Sequence, residues 1–277
     1  MSRLRAFVEG IGLRGPGLDG WEPSRPVLTG AASYVPEPTN MAVTGMLPPN
    51  ERRRAGIPIK LAIASGHEAF EHAQRSAADT ATVFTSSSGD NENVHAICET
   101  LVTAPREVSP TRFHNSVHNA VAGYWGIAAQ SHAPSTSLCG YDSSFAVGLL
   151  DAMAQLATDG IPVALLAYDH AYREPLASVR HVEGNFGIAL VLTPRRTERC
   201  FAVLELEFQS GAAHAAPMAD PALERLRLGN PAARSLPLLE ALAGVDLARA
   251  ARQPGLESRL ALDYQGDCRL DMTVTPC

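Results

Sequence analysis

The stretch STSLCGYDSSFAVGLLDAMAQLATDG, Ser135–Gly160, followed at once by IPVALLAYD, constrains the fold more than any other part of this chain. PSTSLCG reads as a short buried strand. From Ser143, the residues Ala146, Leu149, Leu150, Met153 and Leu156 recur at helical spacing. Asp142 and Ser143 suit the N-cap of that helix, and the Thr-Asp-Gly ending at Gly160 closes it. IPVALLAYD is almost wholly apolar, the pattern of a strand covered on both faces. Strand, tight turn, helix and strand make a βαβ unit. A small-residue run that meets a cysteine, then a serine pair, then a helix is also how a chain holds a nucleophile at a helix N-terminus. The candidates are Cys139 and Ser143.

The remaining segments supply a sheet and its cover. RAFVEGIGLRG reads as a strand running into a glycine turn, and GPGLDGWEPSRPVLTG as loop by its Gly and Pro content. MLPPNERRRAGIPIKLAIASGHEAFEHAQ opens on a proline pair and becomes helical, with Ile57, Leu61, Ala62, Ala64 and Phe70 as its apolar stripe. TATVFTSSSGDN is a strand over Thr82–Thr85 ending in a polar loop. NVHAICETLVTAP is a short helix closed by proline. SPTRFHNSVHNAVAGYWGIAAQ has a helical pattern with Phe113, Val117, Val121, Trp125 and Ile127 on one side. FGIALVLT and RCFAVLELEF flank PRRTE as a hairpin or two adjacent strands. After Gln209 the texture changes: SGAAHAAPMADPALERLRLGNPAARSLP reads as irregular, LPLLEALAGVDLARAARQ as a helix, and RLALDYQGDCRLDMTVTP as a hairpin. The layout is α/β, a mixed sheet covered by helices, with a main domain over 1–209 and an extension over 210–277 packed on it.

Composition removes several function classes. The chain has 277 residues and a net charge of −6, and its one basic run, NERRR, is short. Nucleic-acid binding, which needs clustered cations, is disfavoured. No apolar run reaches the ~18 residues of a membrane span, and the N-terminus lacks a signal-peptide core, so the expected location is the cytoplasm. The five cysteines are odd in number, widely spaced and without a CxxC, which reads as buried reduced thiols.

Other polar groups make weaker cases. His114 and His118 would share a helix face at i, i+4 and can be imagined on zinc, but HExxH is absent; His132 and the Asp169/His170 pair are the further ligands available. A Ser-His-Asp hydrolase would need a GxSxG elbow, which is missing. The loop Ser86–Asn91 lacks the lysine of a phosphate-binding loop. No metal or cofactor is expected. Tyr124 and Trp125 read as core or interface packing, and Arg52, Arg53 and Arg54 as a solvated face.

In order along the chain, FVEGIGLRGPG, LPPNERRRAGIPIKLAIASGHEAF, TATVFTSSSGDN, NSVHNAVAGYWGIAAQSHAPSTS, SFAVGLLDAMAQLATDGIPVALLAYD and EGNFGIALVL resemble the N-terminal half of a β-ketoacyl synthase, a thiolase-like half-fold. The resemblance runs from Arg5 to Leu206. FHNSVHNAVAGYWGIA with STSLCGYDSSFAVGLLDA is most similar to the short ketosynthase-like proteins of aryl-polyene-type pigment biosynthesis, which behave as chain-length-factor-like partners. Counting back from the helix-ending Asp-Gly, the family's nucleophilic cysteine falls on Ser143, beside Asp142. A serine without a positioned base is a poor nucleophile, and an adjacent carboxylate opposes an anion there. The family's two histidines and lysine belong to a second half-fold. Only about 70 residues follow Leu206, too few for one of ordinary size; they include one histidine, His214, and no lysine.

The resemblance therefore implies a non-catalytic partner of a full-length ketosynthase, paired as a heterodimer and meeting an acyl carrier protein indirectly. Ser135, Thr136, Ser137 and Leu138 would form the dimer strand. Val117, Val121, Tyr124, Trp125, Phe145 and Leu149 would shape the end of the acyl tunnel. Two other expectations stay open: an acyltransferase or thioesterase using Cys139 or Ser143, and a free-standing module that binds an acyl chain or carrier protein.

Overall fold

Every residue of β5 (Val163–Asp169) and β6 (Phe186–Thr193) is buried in the computed structural model, which describes residues 3–42, 45–211, 215–253 and 256–277. Successive side chains of a strand point to opposite faces. Val163, Leu165, Ala167, Ile188, Leu190 and Leu192 accordingly enter one apolar cluster, while Ala164, Leu166, Tyr168, Ala189 and Val191 enter another. The sheet is thus the middle of three layers.

In chain order the elements are β1 (Leu4–Gly15), β2 (Leu18–Asp19), α1 (Trp21–Leu28), α2 (Pro49–Arg54), α3 (Ile57–Ala73), β3 (Ala81–Thr85), α4 (Asn91–Val102), α5 (Pro110–Asn115), α6 (Ala120–Ala129), β4 (Ser135–Leu138), α7 (Ser144–Asp159), β5, α8 (Leu176–Val179), β6, β7 (Ala202–Ser210), α9 (Pro221–Gly229), α10 (Leu236–Ala250), β8 (Ser258–Asp263) and β9 (Cys268–Pro276). The strands run β4-β3-β5-β6-β1-β7-β9-β8 across one mixed sheet, with β2 paired to β1. β4, β3 and β5 are parallel, and the other pairings are antiparallel. α1, α7 and α10 cover one face, and α3 and α6 the other.

β1 sits centrally because two of its glycines admit α3. A Cβ on Gly10 would lie 2.1 Å from the Ala69 carbonyl oxygen, and one on Gly12 would lie 1.8 Å from that of Ser65. The helix backbone therefore lies directly on the strand, which any larger residue would prevent. A register shift between Val8 and Gly10 accompanies this contact. Glu9, buried at the shift, is held by Arg75 at 2.8 Å and by the Thr197 hydroxyl at 2.6 Å.

Several local expectations change in the fold. The Gly/Pro-rich segment after β1 contains α1, a helix despite Pro26 inside it. Glu68 of α3 accepts the Trp21 N–H in place of a local cap. Asp246 of α10 accepts from Trp21 Nε1 and from Arg25, both at 2.9 Å. β6 and β7 form neither a hairpin nor a neighbouring pair, because β1 lies between them. The segment read as irregular contains α9, whose first N–H groups, Ala222 and Leu223, donate to Asp220. The helix expected over Ser109–Gln130 is two helices broken after Asn115. Its apolar stripe divides with them: Val121 and Trp125 are buried, while Phe113, Val117 and Ile127 are exposed. β4 is not buried but an edge strand, exposed at Ser135 and half-buried onward. β4, α7 and β5 do form a parallel crossover, which steps over β3. The hairpin β8–β9 and helix α10 stand where they were expected. Of the thiols only Cys200 is buried; Cys98 and Cys139 are exposed, and Cys268 and Cys277 are intermediate. His214 lies outside the described residues. No helix among the described residues is long and apolar enough to cross a membrane.

Candidate functional site

The carboxyl ends of the parallel strands β4, β3 and β5 open on one side of the sheet, where α/β proteins place ligands. The segments leaving them carry Cys139–Ser143, Ser86–Ser88 and His170–Tyr172.

Asp169 ends β5 and is buried. Its Oδ1 accepts from the Ser87 N–H (2.9 Å), the Ser87 hydroxyl (2.7 Å) and the Ser86 hydroxyl (3.2 Å). Its Oδ2 is buried and has no hydrogen-bond partner among the described residues. Burial pushes the carboxyl pKa up to about 6, against the opposing effect of those hydrogen bonds and of Arg180. His170, also buried, has Nδ1 2.9 Å from the Ala171 carbonyl oxygen. Burial lowers its pKa, while the Asp90 carboxylate acts to raise it. The Tyr172 hydroxyl meets those of Ser88 and Ser87.

The turn from β4 into α7 shows what became of the two nucleophile candidates. The Cys139 thiol donates to the Ser87 carbonyl oxygen at 3.0 Å. Ser143 is the residue before α7, as expected of a cap, yet its side chain makes no capping bond. The hydroxyl of Ser144 instead ties the turn, donating to the Tyr141 carbonyl (2.7 Å) and accepting from the Gly140 N–H (3.1 Å). Ser143 faces a void of about 10 Å³ shared with Asp142, Phe145, Arg227, Arg234 and Asp263. No hydrogen bond joins the Ser143 hydroxyl to a histidine or carboxylate among the described residues. The neighbouring Asp142 carboxylate is not bare: Arg180 holds one oxygen at 2.9 Å and Arg234 approaches the other at 3.5 Å. A general base aimed at either nucleophile is what acyl transfer needs, and among the described residues neither side chain is hydrogen-bonded to one.

The residues expected to shape a tunnel divide between the two faces of the sheet. Val121, Tyr124 and Trp125 are buried with α3, Trp125 between Phe70 and Phe84 at 5.6 and 6.3 Å, and Tyr124 donates to Asn115 at 3.2 Å. Phe145 and Leu149 are buried in the opposite cluster. Val117 stands exposed between α5 and α6. His114 and His118 do not share a helix face, since the break after Asn115 separates them, and among the described residues no group of three His, Cys, Asp or Glu side chains could hold a metal. Arg52, Arg53 and Arg54 are exposed on α2.

Tyr141, Tyr172, Arg180 and Arg234 are the site residues that sequence reasoning missed. The available signal was local only for Tyr141, a bulky residue between Gly140 and the helix. The others arrive on loops or from the C-terminal segment.

A family model described as "Beta-ketoacyl synthase, N-terminal domain" matches residues 29–228. Comparison with curated proteins finds no match. Among solved structures, the chain is similar to one in "Ketosynthase (ApeO) in Complex with its Chain Length Factor (ApeC) from Xenorhabdus doucetiae", at 20% identity and a TM-score of 0.72, covering 98% of this chain and 99% of that one. The ishigamide ketosynthase/chain length factor is similar at 15% identity and a TM-score of 0.72, covering 99% of both chains. The complex AntDE:AntF, a type II polyketide-synthase acyl-carrier protein with its ketosynthase bound to the hexaketide, is similar at 12% identity and a TM-score of 0.73, covering 100% of both. These likenesses establish the thiolase-like ketosynthase fold, a mixed sheet covered by helices.

Proposed function

The chain belongs to the β-ketoacyl synthase N-terminal domain family, and from that premise we propose that it is a chain-length-factor-like subunit that pairs with a full-length ketosynthase and performs no condensation itself. The observation that carries the reading is the turn between β4 and α7. The fold keeps the strand, the turn and the helix of a nucleophile site, but the Cys139 thiol is hydrogen-bonded to a backbone carbonyl and, among the described residues, no base is hydrogen-bonded to the Ser143 hydroxyl. The open edge of β4 supports it as well. Ser135–Leu138 pair with β3 on one side only, and a second strand added there would satisfy backbone groups that now face solvent.

In this role the partner carries out decarboxylative condensation of malonyl units with a carrier-bound acyl chain in the cytoplasm. The acyl carrier protein meets this chain through that partner. Val117 would contact the far end of the acyl chain directly. Val121, Tyr124 and Trp125 would fix the wall behind it, while Phe145 and Leu149, on the other face of the sheet, would act only by holding α7 in place. The product class, an aryl polyene-type acyl chain, follows from the resemblance of the segments Phe113–Ala128 and Ser135–Ala152.

The test is affinity capture of the tagged chain from its own cells, with mass spectrometry of the eluate. A full-length ketosynthase at near one-to-one stoichiometry is the expected result. Ser143→Ala and Cys139→Ala should then leave product formation by the pair nearly unchanged. A chain that elutes alone and takes up an acyl group from an acyl thioester on either residue is instead an acyltransferase or thioesterase.

A further inference from the structure

Tyr141 stands at the point of the β4–α7 turn with φ 55, a left-handed conformation that a bulky residue rarely adopts. It is nevertheless the residue held most elaborately. The Arg180 guanidinium lies over its ring, 3.6 Å from the centroid. Arg180 is itself fixed by Asp142 at 2.9 Å. Asp142 is shared with Arg234, which the C-terminal segment contributes. Cation–π stacking of this kind orients both partners. One face of the ring is therefore occupied, and the side chain as a whole remains 60% exposed.

An aromatic ring held rigid and left open to solvent has lost its rotamer freedom before any partner arrives, which lowers the cost of association. Tyr and Arg are also the side chains that most often dominate binding at the centre of interfaces. The position adds a direction. Tyr141 follows the free edge strand β4 by three residues, so a chain paired along Ser135–Leu138 would pass close to the turn that carries the ring. We propose that Tyr141 is the anchor by which this chain grips the ketosynthase subunit, with Arg180 and Asp142 as the positioning residues that hold the ring outward. The surface it fits is an apolar, flat-walled recess on that subunit beside the strand that pairs with β4. The inference rests on the partner reading of the preceding subsection.

The experiment measures affinity between the purified chain and the full-length ketosynthase identified by the capture above. Tyr141→Asn removes the ring but tolerates the left-handed turn, and Tyr141→Phe keeps the ring. Tyr141→Asn is expected to weaken the complex about tenfold or more, and Tyr141→Phe to stay within about threefold of the parent. Arg180→Lys keeps the charge beside Asp142 but loses the planar stack, and should fall between them. The melting temperature of the free chain monitors folding, and Tyr141→Gly, which also suits φ 55, replaces Tyr141→Asn with the same expected loss should that variant unfold. If Tyr141→Asn binds as tightly as the parent, the anchor is refuted while the partner reading stands. If the unaltered chain binds no ketosynthase, the partner reading fails and the anchor falls with it.

Discussion

Asp169 shows what a single side chain can reveal about this site. It terminates a fully buried strand, and among the described residues its second oxygen has no partner; burial pushes its carboxyl pKa up to about 6 from the ordinary 3.8. Between those values the folded chain keeps a proton that the unfolded chain has released. Stability therefore falls as pH rises from about 4 to 6, and the loss is complete above the folded value. Denaturant titrations at pH 4, 5, 6 and 7 should show the parent losing stability relative to Asp169→Asn over that range, by about 1–3 kcal/mol. Parallel pH profiles for the two proteins would mean that folding does not shift the titration of this carboxyl. The strand and its terminal acid were legible in IPVALLAYD, because an unbroken apolar run ending in a charge marks both burial and a strand end. The serines that hold the acid were not. Ser86 and Ser87 lie more than eighty residues earlier, and only the parallel pairing of β3 with β5 brings them to it.

At the scale of elements, legibility follows how local the cause is. Strands β3, β5, β8 and β9 and helices α3, α7 and α10 declare themselves by alternation or helical spacing. α1 does not, because its helix depends on Glu68 and Asp246 from distant helices rather than on its own proline-rich sequence. The separation of β6 from β7 is equally invisible, since nothing in either strand records that β1 enters between them. The edge strand β4 yields the clearest test. Its Pro134 and Leu138 carbonyls accept from Thr82 and Ser86 of the neighbouring chain segment, and the alternation of a parallel ladder turns the Ser137 N–H to the free side. Proline is tolerated on an edge where the missing N–H faced outward. Ser137→Pro should therefore leave the melting temperature of the isolated chain within a few degrees while reducing recovery of the ketosynthase in co-purification at least severalfold. Undiminished recovery would show that pairing does not run through this edge. The buried polar groups of the turn, by contrast, should be indifferent to that substitution.

For the molecule as a whole, the question is whether residues 210–277 are an appendage or part of the one core. Their composition, rich in Ala and Pro at first, suggests an attached layer. The packing argues for a shared core. β9 pairs with β7 along its full length, from Ala202↔Pro276 to Ser210↔Cys268. α10 buries Leu236, Leu238, Leu239, Leu242 and Val245 in the same cluster as Ala6, Val8 and Phe145. Leu270, Met272 and Val274 of β9 join them. Each such side chain contributes roughly 1.5–3 kcal/mol when fully buried, so losing these eight removes about 12–24 kcal/mol, enough to match or outweigh the ~5–15 kcal/mol by which a domain is stable. The same segment supplies Arg234 to Asp142, tying the extension to the turn that anchors the candidate site. A chain ending at Gln209 should accordingly show no cooperative thermal transition by circular dichroism and should aggregate through the bared β7 edge. A sharp transition in that shortened chain would instead establish 1–209 as a domain that folds alone, and would make the arginine contacts to Asp142 an accessory to the site rather than a condition for it.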